Sequence, residues 1–352
     1  MSEVIRAALA AVVGGESLTR PQAEAVMGSV LDGEVTPAQL GALLIALRMK
    51  TETVDELTGF VRAMRARVLA VRSPEGTIDT CGTGGDAHTT FNISTAAALV
   101  VAAAGVPVAK HGNRAVTSPS GSSDVMGALG LTVEQTVVDA EASLAEVGFC
   151  FLHAPGFHPG MRHAGPTRRE LGIRTAFNLC GPLANPAFPH RQLVGVADPA
   201  SARRVADVLH QLGVDRAFVV HGDRVDELPL DGSGVVYDVR PDGVRRLSVT
   251  PDDVGLPAAS TDELSGGTPE VSAAIVGAIL EGTRDGPKAD AVLLNAGAAL
   301  VVAGRADTIR DGVALARSTI ESGAAGERLE LLRARERARA ERAALAAAAT
   351  AA

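Results

Sequence analysis

"GTIDTCGTGGDAHTTFNISTAAALVVAAAGVPVAKHG", residues 76–112, decides how this chain folds. "GTIDT" reads as a short strand, "TAAALVVAAAG" as a buried helix, and "VPVAKHG" as a second strand, which together make one βαβ unit. Between the first strand and the helix lies "DTCGTGGDAHTTFNIST", residues 79–95, with Gly82, Gly84 and Gly85 inside four positions. Glycine costs backbone entropy, so three this close imply positive φ or close approach of another group. The helix that follows turns its first N–H groups back toward this loop, and an anion is therefore the expected visitor. The spacing is neither the dinucleotide fingerprint nor a P-loop, and a plain strand–helix turn is the competing reading. Asn92, Ser94 and Thr95 of "NIST" add side-chain donors, although one of them is needed as the helix N-cap.

Reading outward, "QLVGVAD", "ASARRVADVLHQLG" and "RAFVVHGD" repeat the strand–helix–strand pattern from residue 192 to 223. Strands alternating with helices indicate a parallel sheet covered on both faces. Ligands of such sheets bind outside the carboxyl ends of the strands, so the loops after Thr80, Ala109 and Val220 are expected on one rim. On that rim "KHGNRAVTSPSGSSD", residues 110–124, supplies Lys110, Arg114 and four serines, with Gly112 allowing close approach. Basic groups with a hydroxyl loop suit several phosphate oxygens, and a solvated basic turn is the alternative. Asp226 and Glu227 are adjacent in the third loop. Carboxylates beside phosphates repel unless a cation lies between them, and Mg²⁺ commonly binds a few carboxylates together with phosphate oxygens. The rim thus predicts a Mg²⁺–polyphosphate substrate.

"HPGMRHAGPTRRELGIRTAFNLCGPLANP", residues 158–186, carries Arg162, Arg168, Arg169 and Arg174 with His158 and His163. An arginine facing the cleft suits a second, smaller anion such as a carboxylate; most of the four are expected in structural ion pairs. The two histidines lack the further patterned ligands of a zinc site.

The first 70 residues read differently. "TRPQ", "TPAQ" and "TVDE" are successive capping boxes at Thr19, Thr36 and Thr53, and "QLGALLIALRMK" has a broad apolar helical face. The opening "MSEVIRAALAAVVGG" reads as a helix stopped at Gly14–Gly15 rather than a signal peptide. The 352 residues carry a net charge of −8, three scattered cysteines, one Tyr and no Trp. That balance opposes a general nucleic-acid surface and a disulfide framework, no run is long enough to cross a membrane, and a cytoplasmic location is expected. The final Ala/Arg/Glu stretch reads as a solvated helix fraying into a disordered tail.

"GTGGD", "NIST", "KHGNR", "SGSSD", "RRELGIRTAFNLCGPLANP", "DE" and "LLNAGAAL" occur in this order, with "ALRMK" before them. In these motifs the chain resembles the anthranilate phosphoribosyltransferases of tryptophan biosynthesis over nearly its whole length apart from the tail. The resemblance implies a homodimer with a small all-α domain and a large α/β domain with a mostly parallel central sheet, of the nucleoside phosphorylase/phosphoribosyltransferase type. The expected boundaries are 1–72 for the helical domain, with a segment near 160–185 packing back on it, 73–335 for the α/β domain, and 336–352 for the tail. By the same resemblance, phosphoribosyl pyrophosphate is surrounded by Gly82, Gly85, Asp86, Thr90, Asn92, Ile93, Ser94 and Thr95. It is also met by Lys110, His111, Gly112, Asn113, Arg114, Ala115, Val116, Thr117, Ser118 and Ser122. Gly82, Asn113 and Arg168 would hold anthranilate, with His111 and His158 near its path, and Ser94, Asp226 and Glu227 would contact Mg²⁺. No acid or base is assigned, because an aniline amine is neutral at pH 7. A pyrimidine-nucleoside phosphorylase-like enzyme and a non-catalytic nucleotide-binding relative are the alternatives.

Overall fold

The computed structural model describes residues 3–84, 90–114, 119–222 and 225–351. Four helices come first: α1 (Glu3–Val13), α2 (Arg20–Leu31), α3 (Pro37–Lys50) and α4 (Val54–Arg65). Two of the predicted capping boxes close reciprocally. Thr36 and Thr53 accept from the N–H of Gln39 and Glu56, whose side chains take the Thr36 and Thr53 N–H groups. At Thr19 the Gln22 side chain accepts from both the backbone N–H and the hydroxyl. Gly15 at φ +85° ends the turn after α1, where a side chain would be strained.

The α/β part follows as β1 (Ile78–Gly82), α5 (Ile93–Ala103), β2 (Val108–Gly112), α6 (Ser122–Ala128), α7 (Val137–Val147) and β3 (Phe149–His153). Next come α8 (Ala154–Phe157), α9 (Met161–Leu171), α10 (Ala176–Cys180), β4 (Arg191–Gly195), α11 (Pro199–Gln211) and β5 (Arg216–His221). The hairpin β6 (Gly234–Arg240) and β7 (Gly243–Val249) precedes α12 (Pro269–Leu280), α13 (Pro287–Val302), α14 (Ile309–Glu321) and α15 (Ala324–Ala351). The sheet order is β3-β2-β1-β4-β5-β6-β7. Its first five strands are parallel, and β6 and β7 add an antiparallel edge. The mostly parallel sheet is as expected. β3 and the edge hairpin carry no signal read above.

Strand alternation divides the core. Leu193, Phe218 and Val220 join the apolar cluster of α5, α12 and α13 on one face. Val194, Ala217 and Val219 join α11 and the four N-terminal helices on the other. The order reverses between β1 and β4, so the carboxyl ends of those two strands form the switch-point crevice.

The arginine-rich segment packs on the N-terminal helices, α9 against α2 and α3 and α10 against α4. A Cβ at Gly160 would lie 2.8 Å from the Leu31 carbonyl oxygen, so glycine is what lets α9 start against α2. The C-terminal reading needs correction. Helix α15 buries Leu329 and Leu332, and also Arg335 and Glu336. Arg335 Nε meets Glu146 at 2.8 Å and its Nη2 donates to the Asp139 carbonyl. These long-range charge pairs leave no apolar period for sequence inspection to find.

Candidate functional site

The switch-point crevice is built around Asp226. Its Oδ2 accepts from the Gly84 N–H at 2.8 Å, and a Cβ at Gly82 would overlap that same carboxylate. A Cβ at Gly195, the last residue of β4, would overlap the Asp226 carbonyl. Two strand-end glycines therefore admit one aspartate, and Gly84 at φ +62° turns the loop toward it. The next residue, Glu227, accepts from the Ser94 N–H at the start of α5 through Oε1 at 3.1 Å. The pair is fixed from behind by Asn295 of α13, which is fully buried. Asn295 accepts from the Leu228 N–H at 3.0 Å and donates to the Leu228 carbonyl at 3.2 Å. Gly195 and Asn295 are contributors that motif spacing did not flag; the available signal for Asn295 was a polar side chain inside the otherwise apolar "LLNAGAAL".

This geometry revises the opening expectation. The N–H groups of Gly84 and Ser94, reserved above for an anion, here hold the two carboxylates, and negative charge at the N-terminus of α5 is favoured by the helix dipole. Asn92 occupies the N-cap position without a side-chain capping bond. Its Oδ1 instead accepts from Ser120 at 3.2 Å, which ties the helix start to the serine loop. Thr90 forms a bridge with Ser265.

Lys110 is also displaced from expectation. It is buried beneath the rim, donating to the Thr80 carbonyl at 2.5 Å and to Ser94 Oγ at 3.3 Å. Burial lowers its pKa, while Asp79 leads the negative neighbours that favour its charged form. Ser94, Asp226 and Glu227 thus stand together above a buried ammonium group. Ile93 and Thr95 are buried, Ile93 within the apolar core. Gly112 is glycine because a Cβ there would press on Ser122 and lie 2.8 Å from the Phe151 ring. Asn113 and Arg114 are exposed, and the Asn113 carbonyl accepts from Ser122 Oγ at 3.3 Å. Gly85, Asp86, Ala115, Val116, Thr117 and Ser118 lie outside the described residues.

The second half of the crevice comes from the arginine-rich segment. The Arg168 guanidinium lies 4.9 Å from the centre of the Phe177 ring, burial lowers its pKa, and no carboxylate pairs with it among the described residues. Arg174 donates instead to the carbonyls of Gly84 and Thr83 in the glycine loop. His111 and His158 stand with ring centroids 5.1 Å apart. Burial pushes His111 down to about 3, with the neighbouring His158 second, and pushes His158 down to about 4. Both are neutral at pH 7, each with a buried Nε2 that has no hydrogen-bond partner. The described residues thus include a carboxylate pair suited to a cation, a guanidinium suited to a carboxylate, and two neutral imidazoles in contact with each other.

Residues 6–68 match the glycosyl transferase family, helical bundle domain, and residues 74–326 match the glycosyl transferase family, a/b domain. The chain is 53% identical over 331 residues to the anthranilate phosphoribosyltransferase of Desulforudis audaxviator, covering 94% of this chain and 95% of that one. It is similar in structure to the anthranilate phosphoribosyltransferase of Thermus thermophilus, with 43% identity, a TM-score of 0.88, and 93% and 98% of the two chains covered. It is also similar to that of Saccharomyces cerevisiae in complex with phosphoribosyl pyrophosphate and Mg, with 26% identity, a TM-score of 0.85, and 94% and 97% covered.

Proposed function

Because this chain belongs to the anthranilate phosphoribosyltransferase family, we propose that the crevice between the sheet rim and α9 is the seat of that family's reaction. The protein transfers the phosphoribosyl group of phosphoribosyl pyrophosphate to the amine of anthranilate. The products are N-(5-phosphoribosyl)anthranilate and pyrophosphate, within tryptophan biosynthesis. The observation that carries the assignment to these residues is the Asp226–Glu227 pair seated on the N–H groups of Gly84 and Ser94.

Mg²⁺ fits this donor set. Ser94, Asp226 and Glu227 offer only hard oxygen atoms, and burial raises the Asp226 carboxyl, so a nearby cation is favoured. Ser94, Asp226 and Glu227 would hold the ion together with substrate phosphate oxygens, as suits an ion that takes few protein ligands. When bound, the ion supplies neutralisation of charge on the departing pyrophosphate. The chain's own residues do the rest. The glycine loop and the 110–122 loop hold the phosphates, and the buried Lys110 charge favours negative charge developing above it. Arg168 takes the anthranilate carboxylate, with Gly82 and Asn113 beside it. Neutral His111 and His158 line its approach without drawing a proton from the amine. The amine nitrogen bonds to the anomeric carbon as the bond to pyrophosphate breaks, and the nitrogen then gives up one proton to the departing pyrophosphate or to water. Holding both substrates in line supplies much of the acceleration.

The protein acts in this reading as a cytoplasmic homodimer. Supporting it, the three cysteines are free and buried, and Val13 and Met49 of the N-terminal helices are 71% and 82% exposed. Among the described residues no helix is long and apolar enough to cross a membrane. Anthranilate fluorescence tests the assignment directly. Loss of the signal on adding phosphoribosyl pyrophosphate with Mg²⁺, and none without it, is expected. Equal loss after chelation of the metal removes Mg²⁺ from the reading, and loss with neither substrate dependence removes the assignment altogether.

A further inference from the structure

Strands β1 and β2 pair in register only at Ile78 and Val108, and beyond that point the ladder opens. Side chains fill the gap. The His111 N–H donates to Asp79 Oδ1 at 3.1 Å, and Lys110 takes the Thr80 carbonyl. The other oxygen of Asp79 accepts from Asn185 Nδ2 at 2.8 Å. That amide also donates to the Ala109 carbonyl at 2.8 Å, while Asn185 Oδ1 accepts from the Ala187 N–H at 2.8 Å. Asp79 and Asn185 are both completely buried. The Asn185 amide nitrogen is thus spent on joining the turn to the β1–β2 gap, and its oxygen on shaping the turn itself.

The joined pieces belong to opposite sides of the crevice. Asp79 holds the end of β2, which carries Lys110 and His111. Asn185 holds the "GPLANP" turn, which follows α9 and α10 and so fixes the path of Arg168. The turn meets the site itself: the backbone of Gly181 favours the charged form of His111, and that of Ala184 the charged form of His158, in each case against the larger effect of burial. Gln192 donates to the Pro182 carbonyl at 3.1 Å and Arg65 of α4 to the Leu183 carbonyl at 2.8 Å, so the turn is anchored also to β4 and the N-terminal helices. A buried carboxylate is costly, and an apolar pair would pack the same space without that cost. What an apolar pair lacks is directional bonds that set the spacing between two backbone segments.

We infer that Asp79 and Asn185 form a positioning clamp that holds the phosphoribosyl side and the acceptor side of the crevice at working distance. The inference rests on the placement of Lys110 toward the phosphoribosyl substrate and of Arg168 toward anthranilate, with His111 between them. Neither clamp residue touches substrate; each acts through the segments it joins. Misplacement of one bound reactant by a fraction of an ångström slows the chemical step much more than it weakens binding of the other reactant.

Asn185→Ser removes the amide while leaving room for water. The expected result, per folded molecule by circular dichroism, is a kcat lowered about tenfold or more. The KM for anthranilate rises about fivefold and the KM for phosphoribosyl pyrophosphate stays within about twofold, since the β2 side remains held by Asp79. A lowered melting temperature with wild-type kcat and both Michaelis constants unchanged shows a structural pair only and overturns the clamp. Asp79→Asn is the second variant should the first not fold. It sets a donor against either His111 N–H or the Asn185 amide, and is expected to lower kcat and raise both Michaelis constants; a wild-type kcat overturns the proposal. Arg168→Ala is measured alongside. If it leaves the KM for anthranilate unchanged, the placement of the acceptor has failed; if it raises that KM while Asn185→Ser does nothing, the clamp alone has failed.

Discussion

The two sides of the crevice are made in different ways. On the proposed metal side the candidate groups sit in the loop after β5 and at a helix start, and backbone N–H groups from Gly84 and Ser94 position them. On the proposed acceptor side the candidate group is Arg168, a long side chain on α9, whose place depends on packing against α2 and α3 and on the anchored turn behind it. Backbone positioning leaves little freedom and tolerates no added Cβ at Gly82 or Gly195. Side-chain positioning tolerates change near the site but depends on contacts more than a hundred residues away, as between Asn185 and Asp79. The metal side is therefore expected to fail sharply when altered, and the acceptor side by degrees.

The largest effect should come from the metal side. Asp226→Ala and Glu227→Ala are each expected to lower kcat/KM by about a hundredfold or more and to abolish the Mg²⁺ response, since each removes a charge from a preorganised site. Titration of activity against Mg²⁺ checks this, and a wild-type titration curve for either variant would break the comparison at its stronger end. Arg168→Ala should produce a smaller and more selective change. The KM for anthranilate rises about tenfold or more while that for phosphoribosyl pyrophosphate holds, as expected for loss of a charge-assisted bond to one substrate. Initial rates with each substrate varied in turn decide it, and a rise in both constants would show that the sides are not separable.

The smallest effect is on stability as pH falls. His111 and His158 have folded values of about 3 and about 4, below the ordinary 6.5, so the unfolded chain takes up their protons first. The stability they contribute is complete above pH 6.5 and is lost as pH falls, by about 1.4 kcal/mol per pH unit for each group. Asp79 acts with the opposite sign. Burial raises it to about 6 from 3.8, so the folded protein takes up that proton first and regains stability between those values. Among these three groups one of the two losses is thereby offset, and between pH 6 and pH 4 they together leave a loss of about 1.4 kcal/mol per pH unit. Urea unfolding at pH 7, 6 and 5 measures this slope. His111→Asn should flatten it, and an unchanged slope would show that His111 is not held neutral by its burial.

Legibility in the sequence follows the same division. The capping boxes at Thr36 and Thr53, the βαβ unit of residues 78–112 and the parallel order of β1, β2, β4 and β5 follow from local pattern, because each depends on neighbours a few residues apart. The pairing of Asp226 and Glu227 with a rim was also legible, since strand ends of a parallel sheet share one edge. The purpose of the glycines was only half legible. Glycine announces that something comes close, and at Gly82 the nearest group is the carboxylate of Asp226, 144 positions further along the chain. Lys110 read as a rim charge because a lysine after a strand normally reaches solvent. Burial under Ser94 makes it a fixed charge beneath the site instead.

From the order of its residues alone, this chain settles the capped N-terminal helices, the parallel strands β1, β2, β4 and β5, the edge of the sheet at which their loops gather, and the family it resembles. These depend on periodicity and on glycine, proline and capping residues, whose physics is local. Tertiary structure alone decided that Glu227 takes the Ser94 N–H and that Asn295 braces the loop carrying Asp226 and Glu227. It decided equally that Arg168 has Phe177 rather than a carboxylate for a neighbour, and that Asp79 and Asn185 join the two sides of the crevice. Each of these depends on which distant groups are brought within hydrogen-bond range in a water-poor interior. No short stretch of sequence contains that distance.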